Sequence, residues 1–433
     1  MATTTLNAKV LFTILSAVVV ATSVATENTK ASYGKVLFMT FDGLRWDYVG
    51  RTNTPNFHRL IKNGVTADYV SSSFITKTFP THYTLATGLH QESHGFVGNQ
   101  MYDPELDAHW TIRNQSKDPI WWDDGEPIWV TNQKQGYQSG VFQYPASDVN
   151  IRGHYPTYKL PKYDGSLPNN DVIDLVIPLF ANDSINLGVL YFGTMDSAGH
   201  TYGPDSAEVD QAMRECDANI GYLLDRLDAV DKLDEVNIII TADHGMTSVS
   251  SENNIRLDDY LDRSLYQYDE NNPIYGIWPK NEYDTDAIYD ALSNAHPHLT
   301  VYKKADIPER YHYKSHRRIA PILAVADDHW HIMLGNETSP YKGAHGYDNA
   351  LQSMRTFFVA HGPAFKDGYK SQVFSAVDFY PMMCSVLGLT PSPNNGSLES
   401  IMPMFSGAAG ILSVSNLVIV NVLCLWMTLY ITF

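Results

Sequence analysis

Cysteine is nearly missing from this chain: there are three in 433 residues, Cys216, Cys384 and Cys424. A small fold held together by cross-links is thereby excluded, and the chain must stand on its own apolar core. Spacing alone does not say whether Cys216 and Cys384 pair. No basic tract occurs anywhere, and the formal net charge is −18. Without a phosphate-neutralising patch, a nucleic-acid polymer is not an expected partner. No protein partner is evident either. Internal repeats and low-complexity linkers are absent too, so one compact domain over residues 30–390 is the simplest organisation.

The two ends depart from that domain. Lys9 precedes "VLFTILSAVVVA" and a small-residue stretch, "SVAT", so residues 1–25 are expected to be a secretory signal cleaved near Ala25. At the other end "ILSVSNLVIVNVLCLWMTLYITF" (411–433) is long enough to span a bilayer, and no Lys or Arg follows it. Small residues upstream (Asn395, Gly396, Ser397, or Ser406, Gly407, Ala408, Ala409) suit a lipid-anchor attachment site. Spanning helix and lipid anchor both stay open. Either would tether the domain by its C-terminus at the extracellular face of the plasma membrane, with 391–410 as a stalk. Four sequons agree with secretion: Asn114, Asn182, Asn336 and Asn395.

Apolar β-branched runs alternate with helical patterns between these ends. "KVLFMTF" (35–41), "NLGVLYFGT" (186–194), "EVNIIITA" (235–242) and "RTFFVAHG" (355–362) read as buried strands. "TPNFHRLIKNG" (54–64) reads as a helix, with Pro55 in its first turn and Gly64 past its end. A longer helix spans about 205–230, where Val209, Met213, Cys216, Ile220, Leu223, Leu224 and Leu227 share one face. This alternation predicts an α/β fold with a mostly parallel sheet. The stretch 250–340, rich in Tyr, Asn, Asp and Pro, reads as a small peripheral insertion.

Each strong strand is followed by metal-type donors: Asp42 after the first, Asp196 and His200 after the second, Asp243 and His244 after the third. Ligands in open α/β sheets bind beyond the carboxyl ends of the strands. With His345 in "GAHGYDN", the set reaches three carboxylates and three imidazoles, donors that zinc accepts. Six are too many for one catalytic zinc, which takes three and keeps a position open. Two zinc ions fit, and paired metals serve in-line displacement at phosphorus.

"TKTFPTHYTLATGLH" (76–90) carries five threonines. Pro80 suits a first helical turn, which puts Thr78 at a helix N-terminus, where N–H dipoles favour an anion. Metal ligation ionises a hydroxyl where the dipole alone cannot. Thr81, Thr84 and Thr87 fall deeper in the helix, where hydroxyls bond back to the preceding turn, and Thr76 lies upstream.

The ordered set "FDG", "TKTFPTH", "GN" (98–99), "DSAGHTYGP", "ADHGM" and "AHGYDN" resembles the ectonucleotide pyrophosphatase/phosphodiesterase family of the alkaline phosphatase superfamily, over about 35–390. The resemblance implies an alkaline phosphatase-like central sheet flanked by helices. It makes Thr78 the nucleophile. It assigns one zinc to Asp42, Thr78, Asp243 and His244, and the other to Asp196, His200 and His345. Asn99 takes the place of the arginine that clamps a phosphate dianion in alkaline phosphatases. A neutral amide suits a diester or pyrophosphate. The sulfatase pattern C/S-x-P-x-R is absent. "YPASDV" (144–149) and "YDGS" (163–166) resemble nucleotide-binding segments, implying that Phe79 and Tyr163 sandwich a base while Tyr144, Asp148 and Tyr191 line its pocket. The implied substrates are nucleotides of the ATP, ADP or NAD type, cleaved to a nucleoside monophosphate through a covalent threonine intermediate. Two alternatives stand beside this: a choline phosphodiesterase of the same mechanism, and a catalytically silent surface binding protein. The family's metal and nucleophile positions all keep competent residue types, which speaks against the silent protein.

Overall fold

The computed structural model describes residues 34–335 and 338–407. The expected signal peptide, the apolar tail with Cys424, and Asn336 lie outside the described residues. No helix among the described residues is long and apolar enough to cross a membrane.

Eight strands form the main sheet: β1 (Lys35–Phe41), β2 (Val65–Ala67), β3 (Ser139–Phe142), β4 (Tyr158–Lys159), β5 (Leu187–Phe192), β6 (Val236–Thr241), β7 (Phe358–His361) and β8 (Tyr369–Ser371). Their spatial order is β8-β2-β7-β6-β1-β5-β3-β4. β1 pairs in parallel with both β5 and β6, and β3 extends that parallel set. β7 alone runs against its neighbours, β6 and β2.

β1 is apolar throughout because both faces of the sheet are covered, yet its side chains still divide with period two. Val36 and Phe38 enter one core with Tyr83, Trp129 and Phe379. Leu37, Met39 and Phe41 enter the other, against helices α3 (Asn169–Ala181) and α5 (Ala207–Asp228). α5 is the long helix of the sequence pattern. Ser206 caps it by accepting from the Val209 amide, and Val209 through Leu227 form its buried face. Cys216 sits in this second core and Cys384 in the first; both are buried free thiols.

The insertion carries its own four-stranded antiparallel sheet, ordered 266–271, 274–279, 322–326, 299–303. Ile277, Ile288, Leu292 and Ile322 form part of its separate apolar core. It is tied to the main domain through Arg318, a fully buried guanidinium. Arg318 donates to Asp103 Oδ2 (2.7 Å) and to the carbonyls of Gly95, Trp121 and Ile120. Burial alone would raise the Asp103 carboxyl, but hydrogen bonds from Arg317 and Arg318 outweigh it and hold it at about 2. Asp103 ends the short strand that begins just after Asn99, so this pair also anchors the loop carrying Asn99. Replacing Arg318 with Met takes one of two guanidiniums from a buried carboxylate, Arg317 keeping its hold, and leaves three carbonyls without that donor, so it is expected to cost about 3 kcal/mol in urea unfolding.

Residues 391–407, expected as a stalk, pack against the domain. Ser397 N donates to Asp378 Oδ1 (2.7 Å), Ile401 and Met404 are buried, and Phe405 stacks on Phe365.

Candidate active site

Three adjacent strands deliver the acids to one edge. Asp42 follows β1, Asp243 and His244 follow β6, and Asp196 and His200 lie one turn apart on α4 (Thr194–Tyr202), which follows β5. Gly43 sits at φ 72°, and a Cβ there would stand 3.0 Å from Asp196 Cα, so the "FDG" turn needs glycine to bring the first two acids together. His345 arrives from the segment after 343–344, which pairs with 247–248 behind His244.

The donors converge as two overlapping groups, Asp196 with His200 and His345, and Asp42 with Asp196 and His244. Asp196 belongs to both, so it lies between the two sets that the sequence kept apart. Asp243 joins through Oδ2, 3.0 Å from His244 Nε2. Each imidazole gives its Nδ1 to a backbone carbonyl: His200 to Gly343, His244 to Gly245 and His345 to Thr76, at 2.8–2.9 Å. That fixes the tautomer and leaves every Nε2 as a bare acceptor toward the cluster.

Four buried atoms here lie against one another or neighbouring donors yet have no hydrogen-bond partner: Asp42 Oδ1, Asp196 Oδ1, Asp243 Oδ2 and His244 Nε2. Acceptors crowded together out of water are costly unless a cation or a proton joins them. The titration shifts say the same. Burial, with Asp243 and Asp196 adding, holds Asp42 well above the usual carboxylate range. Burial likewise pushes Asp243 up to about 8. Burial pushes His345 well down and lowers His244. The oxygen and imidazole donor set therefore fits a pair of divalent cations of zinc type.

The five threonines separate clearly. Thr76 Oγ1 donates to Tyr347 O (2.9 Å), and Thr84 Oγ1 meets His94 Nε2 (3.0 Å). Thr87 alone bonds back one turn, to Tyr83 O (2.6 Å). Thr81 reaches Ile75 O and Ser73 across the loop instead, so neither Thr81 nor Thr84 follows the expected back-bonding. Thr78 opens helix α2 (Thr78–Thr87) at its first position, half-buried, on one cavity wall with Asp42 and Asp196. Its hydroxyl has no hydrogen-bond partner among the described residues. Asn99 Oδ1 accepts from Phe79 N (3.0 Å), capping the turn and leaving its Nδ2 to donate.

That cavity, of about 200 Å³, is also lined by Phe79, Tyr144, Asp148, Tyr163 and Tyr191. Their roles differ from one another. Phe79 is backed by Trp110 (centroids 5.0 Å apart) and Phe96, so its ring is held in place. Tyr163 is 49% exposed, the most accessible of these four rings. Tyr144 is buried, with its hydroxyl on His82 O, and serves as wall. Tyr191 donates to Asp42 Oδ2 (2.6 Å) and thus orients an acid of the cluster rather than reading a substrate. Asp148 is paired with Lys117 Nζ (2.8 Å).

Sequence reasoning missed Lys117, along with Gln143, whose amide grips the Asp164 backbone in both directions and so holds the Tyr163 loop. It also gave no role to His82. His82 is fully buried and pushed down to about 3 by burial, and its ring spans Thr78 O and Thr40 Oγ1. Of the sequons, Asn114, Asn182 and Asn395 are exposed.

Comparison with known proteins agrees with this geometry. The family model "Type I phosphodiesterase / nucleotide pyrophosphatase" matches residues 36–348. The chain is 42% identical over 400 residues to ectonucleotide pyrophosphatase/phosphodiesterase family member 5 of Homo sapiens, covering 92% of this chain and 83% of that one. It is 43% identical over 379 residues to a bis(5'-adenosyl)-triphosphatase of Xenopus laevis, covering 86% and 82%. Among solved structures, the murine family member 5, as an inactive threonine-to-alanine variant in complex with AMP, superposes with a TM-score of 0.84 at 43% identity, covering 86% of this chain and 100% of that one. With every residue of the donor cluster inside the matched span, the chain belongs to the ectonucleotide pyrophosphatase/phosphodiesterase family of the alkaline phosphatase superfamily.

Proposed function

We propose that this chain is an extracellular, two-zinc nucleotide pyrophosphatase/phosphodiesterase that releases a nucleoside monophosphate from ATP-, ADP- or NAD-type substrates. The observation that carries the reading is the convergence of four partnerless buried acceptors beside an unbonded hydroxyl at a helix N-terminus. Asp42, Asp243 and His244 with Thr78, and Asp196, His200 and His345, would hold the two cations, with Asp196 near both. When bound, the cations would lower the pKa of the Thr78 hydroxyl and offset charge on the phosphoryl oxygens.

The chain's own groups supply the rest. Thr78 Oγ1 attacks phosphorus, the bond to the leaving oxygen breaks, and the nucleotide is held as a threonine ester. Attack by water then releases the monophosphate and restores Thr78. Asn99 Nδ2 donates to a non-bridging oxygen without demanding a second negative charge. Phe79, fixed from behind, offers a face on which a base stacks, and Tyr163 closes the same cavity from an accessible position. The inactive murine neighbour that holds AMP supports both the threonine and the nucleotide pocket.

The cavity between these rings favours nucleotides over choline esters. A panel of nucleotide substrates and glycerophosphocholine, run with and without chelator, tests this. Metal-dependent nucleotide cleavage exceeding choline release is expected, and the reverse preference would overturn the substrate assignment.

A further inference from the structure

The two chain neighbours of Thr78 line different cavities. Phe79 lines the one described above. Lys77 lines a second, of about 370 Å³, together with Asn99, Arg113, Glu270 and Asn272. Ile112 lines both, so the two cavities are neighbours, flanking the segment that carries the nucleophile. We propose that this second cavity receives the leaving half of the substrate and selects leaving groups that themselves bear phosphate. The inference rests on the reading of Thr78 and the first cavity given above.

Position is the first argument. A substrate whose scissile phosphorus sits at Thr78 and Asn99 has one half in the aromatic cavity, which at about 200 Å³ holds little beyond that half. The remainder must continue on the other side of Asn99, where the second cavity opens.

Chemistry is the second. The second cavity carries no aromatic ring among its described lining residues, unlike the first. Lys77 and Arg113 supply two cations against the single carboxylate of Glu270. Arg113 is exposed, and its guanidinium has no hydrogen-bond or ion-pair partner among the described residues, so a phosphate meets an unengaged fork donor. Lys77 is buried, with Nζ 2.8 Å from His345 O, a single acceptor for three donors.

Rigidity is the third. The Asn271 amide exchanges hydrogen bonds with Gln100 N and O (3.0 and 2.7 Å), and Asn272 Oδ1 accepts from Ile332 N (3.1 Å). The floor is therefore set before a ligand arrives, and less ordering opposes binding.

Arg113→Ala and Arg113→Glu test the assignment, since loss of an exposed, unpaired arginine leaves the packing intact. The readout is kcat/KM for ATP divided by kcat/KM for the p-nitrophenyl ester of a nucleoside monophosphate. Both substrates place the same half in the first cavity, but only ATP has a phosphorylated leaving group. The ratio is expected to fall about tenfold in the alanine variant and further in the glutamate variant. An unchanged ratio in both variants, with the unsubstituted enzyme active on both substrates, would overturn the second subsite alone. An unsubstituted enzyme that cleaves neither substrate would overturn the functional reading and the subsite together.

Discussion

Thr78→Ala is expected to lower kcat for nucleotide hydrolysis by at least about 10⁴-fold, because no other threonine of the 76–87 segment is free to replace it. Thr76 and Thr87 each donate to a fixed carbonyl, Thr84 accepts from His94 Nε2, and Thr81 reaches across the loop to Ile75 O. The same substitution should barely move stability, within about 0.5 kcal/mol, since the Thr78 hydroxyl has no partner to lose. This separation of activity from folding is the useful part of the result. Thr78→Ser, which keeps an alcohol at the helix terminus, is expected to recover part of the rate. A Thr78→Ala enzyme that turns over substrate near the original rate would remove the covalent step.

Removing the metals should abolish hydrolysis and also destabilise the protein in a pH-dependent way. In the stripped protein Asp243 titrates at about 8 and Asp42 well above its ordinary range, both chiefly through burial, whereas in the unfolded chain each titrates near about 4. Between those values the folded form holds protons that the unfolded form has released. Stability of the stripped protein therefore falls as pH rises from 4 to 8, by up to about 1.4 kcal/mol per pH unit for Asp243, with Asp42 acting in the same direction. Bound cations replace those protons and remove the slope. The gap in Tm between loaded and chelator-treated protein is expected to widen from pH 5 to pH 8, and added zinc should close it. A gap that narrows toward pH 8 would mean that the carboxylates do not face the cations.

What the sequence disclosed follows from which contacts leave a local trace. The strands at 35–41, 186–194 and 235–242 were legible because a run buried on both faces is apolar throughout. The donors were legible because each acid or imidazole stands directly at a strand's carboxyl end or one helical turn beyond it. Partners distant in the chain left no such trace. Nothing in "VLYFG" says that Tyr191 will hold Asp42, 149 positions away, and no local pattern joins Lys117 to Asp148 or Arg318 to Asp103. The helix at 78–87 was readable from Pro80 and Gly88. The partners of Thr81 and Thr84 were not, since they lie on other segments. The docking of 391–407, expected as part of a stalk over 391–410, left no trace because its large apolar residues, Leu398, Ile401, Met402, Met404 and Phe405, are spaced without a period, yet they are what packs it onto the domain.

The donors of the cluster are drawn from most of the described chain, from Asp42 near its start to His345, with the 254–334 insertion threaded between the last two contributors. Local helices and hairpins are able to form long before these distant segments meet, because closing such large loops is entropically slow. Catalytic competence is therefore the last property such a chain acquires during refolding. Recovered turnover reports completed topology, where recovered helix content reports only its early parts.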